Sequence, residues 1–344
     1  MDRFTSLPLD GQSFTIHGAI DQVRSEGCLW PWRLRRADEA LYDPSLRDRC
    51  TMAAGARLAM ISDASSLEMQ LDRPEIAADY QGRTHWHFDL LVDGQFFHRV
   101  TLPRGEGPVR FTNLPPGEHR LEVYLHHLSP VRIHAVRIPM GAIAKPAPDD
   151  RPRWIAYGSS ITQGSGALGP TDVWPVRVAQ RMGLYLISQG VGGQCHLDPI
   201  QARLISSTSA DYISLCLGIN VQCHPTFNRR SFPAAVAGFI LSIRDGHPKT
   251  PLVVVSPIHS LPRETQANTA GLCLADMREI ICSVIETLTD RGVPNLHYVN
   301  GLDLFGQEFD AFMPDHLHPD TPGNHLLAER YITQVMPRLG LGLV

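Results

Sequence analysis

RWIAYGSSITQG (residues 153–164) joins a short apolar run to a glycine-flanked pair of serines, Ser159 and Ser160. A serine at a strand-to-helix turn exposes its hydroxyl while its own N–H points into the same space. Four more short apolar runs follow: LYLISQG (184–190), DYISLCLG (211–218), PLVVVSP (251–257) and NLHYVNG (295–301). Helix-like stretches lie near 172–183, 231–245, 271–291 and 322–338, and Pro322 falls in the first turn of the last, where its missing N–H costs nothing. Strand–helix alternation predicts a parallel sheet with right-handed crossovers, here five strands in a three-layer α/β/α, flavodoxin-like sandwich. Ligands of such sheets bind beyond the carboxyl ends of the strands, so the residues just after each run are the ones to read.

Upstream the period changes. Leu67, Met69 and Leu71 alternate with polar residues, as do Trp86, Phe88, Leu90 and Val92, and then Leu121, Val123 and Leu125. Period-2 alternation marks strands with one buried face. Asp93-Gly94 is a two-residue hairpin signal, and Pro115-Pro116-Gly117 makes another break. Residues 1–145 are therefore expected to form an all-β sandwich, jelly-roll-like and without helices. The proline- and charge-rich AKPAPDDRP (144–152) is expected to be the linker to a second domain at 150–344.

The 344 residues suffice for two domains, and 43% hydrophobic against 19% charged residues argues against wholesale disorder. A net charge of −4 gives no basic footprint for nucleic acid or anionic lipid, and no apolar run reaches the length of a membrane-spanning helix. The first twenty residues lack the basic-then-apolar order of a secretory signal, so a cytoplasmic protein is expected. Seven cysteines without a CxxC pair read as buried, reduced thiols. Composition says nothing about oligomeric state.

The chemistry concentrates at four strand ends. Ser160 follows the first. Gly190-Val191-Gly192-Gly193 follows the second, with no side chain to block approach to its N–H groups. Gly218-Ile219-Asn220 follows the third and places an amide donor at the same rim. Asp315-His316-Leu317-His318-Pro319-Asp320 lies beyond the fifth, and one turn brings the Asp315 carboxylate beside the His318 imidazole. Acyl transfer needs this set: a serine activated by a base, a carboxylate fixing the base's tautomer, and donors for the developing oxyanion. Two other readings use part of it. The serine-rich loop also suits a phosphate- or flavin-binding flavodoxin-like protein, although that assigns no work to Asn220 or to Asp315 and His318. Asp315, His316, His318 and Asp320 also carry metal-ligand atoms, but residues i and i+2 diverge on an irregular turn and no other cluster completes a site, so no metal or other cofactor is expected.

These blocks, in this order, resemble the SGNH (GDSL-type) hydrolase superfamily over about 153–338. Its Gly-Asp-Ser block corresponds to Gly158-Ser159-Ser160, its oxyanion glycine to Gly193, its Gly-x-Asn block to Asn220, and its Asp-x-x-His block to Asp315 and His318. The resemblance implies Ser160, Asp315 and His318 as catalytic residues and Ser160, Gly193 and Asn220 as the oxyanion hole. Ser159 replaces the usual aspartate, Ser188 stands where asparagine often precedes the glycine block, and His316 fills a position often held by glycine. A β-domain ahead of this hydrolase also resembles some bacterial carbohydrate esterases. The implied activity is hydrolysis of a short-chain carboxylic ester, acetyl first, with a sugar or another small polar alcohol leaving. Thioesterase, lactonase and acyltransferase activities use the same triad. Cys195, His196 and His316 are candidate pocket-lining residues. Trp30, Trp32 and Trp86 read as core, with a sugar-stacking platform as the alternative. His85 and His87 share an exposed sheet face in this reading.

Overall fold

The computed structural model describes residues 3–25, 27–72, 85–103 and 108–342. The chain forms two compact units. One comprises Met1–Ala40, Cys50–Asp150 and Leu168–Thr171, and the other Leu41–Arg49, Arg151–Ala167 and Asp172–Val344.

The first unit is a β-sandwich. One antiparallel sheet runs β3 (Asp21–Ser25), β4 (Cys28–Trp32), β11 (Arg132–Pro139), β6 (Ser66–Asp72) and β9 (Val109–Thr112), with β1 (Phe4–Leu7) also along β11. The other runs β12 (Ala144–Pro146), β5 (Arg57–Ser62), β10 (His119–Tyr124), β7 (His85–Val92) and β8 (Gln95–Pro103), with β2 (Thr15–His17) also along β5. The alternating residues meet in one core: Leu67, Met69 and Phe111 from the first sheet, Trp86, Phe88, Leu90, Leu121 and Val123 from the second. Asp93 and Gly94 both have positive φ, 49° and 78°, as the β7–β8 hairpin requires. Trp32 and Trp86 are buried and so belong to the core rather than to a stacking platform; Trp30 is half-buried beneath the Arg132 guanidinium.

Two expectations are corrected here. AKPAPDDRP is not a free linker: Ala144–Pro146 pairs with β5, the Ala147 carbonyl bonds the His17 ring at 2.8 Å, and Asp149 accepts from buried Arg57 at 2.6 Å. Residues 1–145 also contain a helix, α1 (Pro44–Cys50), in which Leu46 and Arg49 are buried while Ser45 is exposed; Tyr42, just before it, is buried too.

The second unit holds a five-stranded sheet in the order β14 (Tyr185–Gly190), β13 (Arg153–Gly158), β15 (Tyr212–Cys216), β16 (Leu252–Val255) and β17 (Leu296–Val299), every pair parallel. On β13, Trp154 meets Trp174 of α3 (Trp174–Arg181) and Tyr331 of α9 (Thr321–Gln334), whereas Tyr157 stacks on Phe239 of α6 (Ser231–Gly246). Residues of opposite parity point to opposite faces of a strand, so both faces of the sheet are covered by helices. Helix α7 (Leu274–Asp290) packs on α6, as does α4 (Pro199–Ser206), a helix that the pattern of apolar runs passed over. The chain leaves β13 for β14 on one side and returns to β15 on the other. The switch point therefore lies at the carboxyl end of β13. Among the described residues no helix is long and apolar enough to cross a membrane.

Arg57 is a buried cation of the first unit, held by Glu122 at 3.0 Å and Asp149 at 2.6 Å, and its removal leaves those two carboxylates with the more distant Arg120, at 3.5 and 3.8 Å. Breaking such a buried pair from one side costs about 3–5 kcal/mol. Arg57→Ala is expected to lose that much in urea-unfolding free energy, and a loss below about 1 kcal/mol would show that water already screens the cluster.

Candidate active site

Ser160 opens the single-turn helix α2 (Ser160–Gln163) at the end of β13. Ser159 caps it, its Oγ accepting from the Ile161 N–H at 3.2 Å, and Gly164 ends it with φ 93°. Trp174 braces the turn by donating its indole N–H to the Ile161 carbonyl at 3.1 Å. A small cavity of about 30 Å³, lined mostly by apolar side chains with Ser159 and Thr162 among them, lies behind the turn; Ser160 is not part of its lining.

The Ser160 hydroxyl lies 2.8 Å from His318 Nε2, and His318 Nδ1 lies 2.6 Å from Asp315 Oδ2. Asp315 Oδ1 accepts the N–H groups of His318 at 2.7 Å and Leu317 at 3.0 Å, so the carboxylate is oriented by the turn it starts. Partial loss of water around the Asp315 carboxylate acts to raise its pKa, but the bonds from the His318 amide and ring and from the Leu317 amide outweigh it and hold it below the ordinary value. His316 has φ 56°, which explains why glycine suits this position, and its ring turns to Asp310 at 3.1 Å. The two histidines of the block diverge: His318 faces Ser160, His316 the exposed surface. Downstream, Asn324 of α9 donates to the Pro319 carbonyl at 2.6 Å and accepts from the Trp174 N–H at 3.2 Å, linking the loop that carries Asp315 and His318 to the helix that braces the serine.

The second strand end is close-packed. A Cβ on Gly190 would meet Gln163 N at 2.4 Å, and Gly192 donates its N–H to Gln163 Oε1 at 2.7 Å. In 191–196 the other main-chain N–H groups are taken: Val191 by the Gly158 carbonyl, Gly192 by Gln163, Gln194 by the Val191 carbonyl, Cys195 by Asn220 and His196 by the Gln194 carbonyl. Gly193, with φ 72°, is the one whose N–H has no partner among the described residues. The bond from Cys195 N–H to Asn220 Oδ1, 3.0 Å, sets the amide so that Nδ2 remains a donor.

Of the candidate pocket-lining residues, Cys195 turns inward. Its thiol is buried, approaches the Cys216 carbonyl at 3.6 Å, and is pushed well above the usual thiol range by burial; burial likewise takes Cys216 to about 12. His196 is half-buried, with Nε2 at 3.0 Å from the Gly193 carbonyl and Nδ1 at 3.1 Å from Thr226, and burial lowers its pKa. All seven cysteines are free, but Cys216, Cys223 and Cys282 are only partly buried. Gln163 and Arg49, whose Nε donates to the Gly192 carbonyl at 3.0 Å, were not singled out from sequence. Gln163 lies inside the serine block and was open to notice; Arg49 is more than a hundred residues away.

A strand-end serine bonded to a histidine–aspartate pair, on a five-stranded parallel sheet beside a glycine loop, defines the SGNH class of hydrolases. Residues 152–336 match the model of the GDSL-like Lipase/Acylhydrolase family, and the chain belongs to that family of carboxylic ester hydrolases. A salicylyl-acyltransferase, SsfX3, from a tetracycline biosynthetic pathway is similar over 99% of this chain and 98% of that one, at 31% identity and a TM-score of 0.89. A Bacteroides ovatus protein assigned to the GDSL-like lipases is 18% identical over 99% of each chain, with a TM-score of 0.79. A family two carbohydrate esterase from Clostridium thermocellum in complex with cellohexaose shares the fold at 16% identity, over 91% of this chain and 99% of that one, with a TM-score of 0.66. Comparison with curated protein sequences gave no match.

The depressed Asp315 pKa has a definite sign in stability. The carboxylate stabilises the fold fully above its unfolded value, about 3.9, and that contribution is lost as pH falls through its lower folded value. Urea unfolding followed downward from about pH 5 should therefore show a shallower acid loss for Asp315→Asn than for the unsubstituted protein. Parallel acid limbs would mean that Asp315 titrates alike in both states.

Proposed function

We propose that this protein cleaves short-chain carboxylic esters, acetyl esters first, through an acyl-enzyme on Ser160. His318 Nε2 takes the Ser160 proton as Oγ attacks the carbonyl carbon, and Asp315 holds the imidazole in the tautomer with Nδ1 protonated. The oxyanion is received by the N–H groups of Ser160 and Gly193 and by Asn220 Nδ2. The alcohol leaves with the proton from His318, and a water deprotonated by the same ring then releases the acid. The observation that carries this reading is the Ser160–His318–Asp315 relay at 2.8 and 2.6 Å, together with a Gly193 N–H that has no partner among the described residues. A small polar alcohol as leaving group is supported by His196 on the glycine loop, whose Nε2 at 3.0 Å from the Gly193 carbonyl puts a polar side chain beside the proposed oxyanion donor. An acylated carbohydrate is the first candidate, since carbohydrate esterases share the architecture.

Acyl transfer is the second reading, favoured by similarity along nearly the whole chain to a salicylyl-acyltransferase. The acyl-enzyme is common to both, and the acceptor distinguishes them. Acetylated sugars, aryl acetates and acyl thioesters, each offered with and without an alcohol acceptor, should yield free acid as the main product under the first reading. Acylated acceptor exceeding free acid would establish the second.

Asn220 separates acyl chemistry from ligand binding at this loop. Its donor is used more in the transition state than in bound substrate, so Asn220→Ala should lower kcat about 10²–10³-fold with KM nearly unchanged. Fluorophosphonate should still label Ser160 in this variant, slowly, and should not label Ser160→Ala at that position. A raised KM at unsubstituted kcat would remove Asn220 from the oxyanion hole.

A further inference from the structure

The oxyanion donor proposed above sits on a glycine pair, and glycine pairs rotate freely. The Gly192 carbonyl and the Gly193 N–H are the two ends of one planar trans peptide and point in opposite directions. Whatever grips that carbonyl therefore aims that N–H. Arg49 does so: its guanidinium is buried, only 4% exposed, and its Nε donates to the Gly192 carbonyl at 3.0 Å. The neighbouring peptides are held too, by Gln163 Oε1 on the Gly192 N–H and by His196 Nε2 at the Gly193 carbonyl. Arg49 is the brace that carries a full charge. A cation on the carbonyl end polarises the amide and makes its N–H a better donor, the cooperative effect of chained hydrogen bonds in a site shielded from water.

The geometry points to Arg49 as a positioning residue that aims and polarises the Gly193 N–H toward the oxyanion. This rests on the reading of Ser160 and Gly193 given above and deepens it. Arg49 comes from α1, in the sequence of the β-sandwich, yet residues Leu41–Arg49 belong to the compact unit that carries Ser160. Tyr42 and Leu46 are buried on the same side and anchor the segment. The hydrolase unit thus draws a support for its reaction centre from sequence far outside residues 152–336, the span of the family match. Arg49 does not touch the reacting atoms. Its effect should follow oxyanion stabilisation and spare substrate binding.

The test uses the full chain with Arg49→Gln and Arg49→Lys. Active sites are counted by fluorophosphonate titration, and kcat and KM are measured with an aryl acetate. A trifluoromethyl ketone supplies the oxyanion mimic: Ser160 Oγ adds to its carbonyl carbon, the serine proton passes to His318, and the carbonyl oxygen becomes the bound oxyanion. Arg49→Gln should lower kcat per titrated site about 10- to 100-fold, less than outright loss of a donor, with KM within about twofold. The ketone's inhibition constant should rise by the same factor as kcat/KM falls. Arg49→Lys keeps the charge and one donor and should fall between; it carries the test if the glutamine variant does not fold. A purely structural role would reduce the melting temperature and the number of titratable sites while leaving kcat and inhibition per site as in the unsubstituted protein, and that result overturns the inference alone. No label at Ser160 in the unsubstituted protein would overturn the nucleophile assignment and this inference with it.

Discussion

Gly158 and Gly190 end two neighbouring parallel strands opposite each other, and neither has room for a β-carbon. On Gly158 it would lie 2.2 Å from the Thr162 hydroxyl, and on Gly190 2.4 Å from the Gln163 nitrogen. That absence lets the turn from Ser160 to Gln163 fold down onto the sheet instead of standing above it. The rest follows from that closeness. Gln163 is near enough to hold the Gly192 N–H, the Val191 N–H closes onto the Gly158 carbonyl, and the serine hydroxyl points to where the loop of Asp315 and His318 arrives. A methyl group at either position would lift the turn and disperse the site, although neither glycine takes any part in chemistry.

The fold was legible where its signals are local. Five apolar runs gave five strands, and alternation at Trp86–Val92 and Leu121–Leu125 gave sandwich strands whose inward residues share one core. Two of the helices that were passed over, Pro44–Cys50 and Pro199–Ser206, are too short for a 3.6-residue period to stand out. Each does begin with Asp-Pro, a cap followed by proline at the first helical position, and that punctuation was the available signal. AKPAPDDRP misled for a physical reason. Pro146 lies on the outermost strand of its sheet, where a residue without an N–H forfeits no ladder bond. Asp149 is buried by its pairing with Arg57, a partner that no local pattern reveals.

The site divides along the same line. Asp315 and His318 are a local unit: the carboxylate accepts two N–H groups from the turn it begins and has one oxygen left for the imidazole, so Asp-x-x-His specifies its own geometry. Such a unit survives on an exposed loop, and Asp315 is exposed. The proposed oxyanion side has no such economy. In that proposal its loop is glycine-rich so that the backbone can come close to substrate, and the freedom that permits this would also let its peptides turn away. Order is imposed from outside by Gln163 on the serine turn, Asn220 on the third strand end, His196 beyond the loop, and Arg49 on a helix from the first half of the sequence. The local half of the proposed mechanism can be read from a motif, whereas the half proposed to stabilise charge depends on supports scattered along the chain. Variation among proteins with the same four motifs should therefore gather at those supports, because they can change how firmly the oxyanion is held while the nucleophile and its base stay as they are.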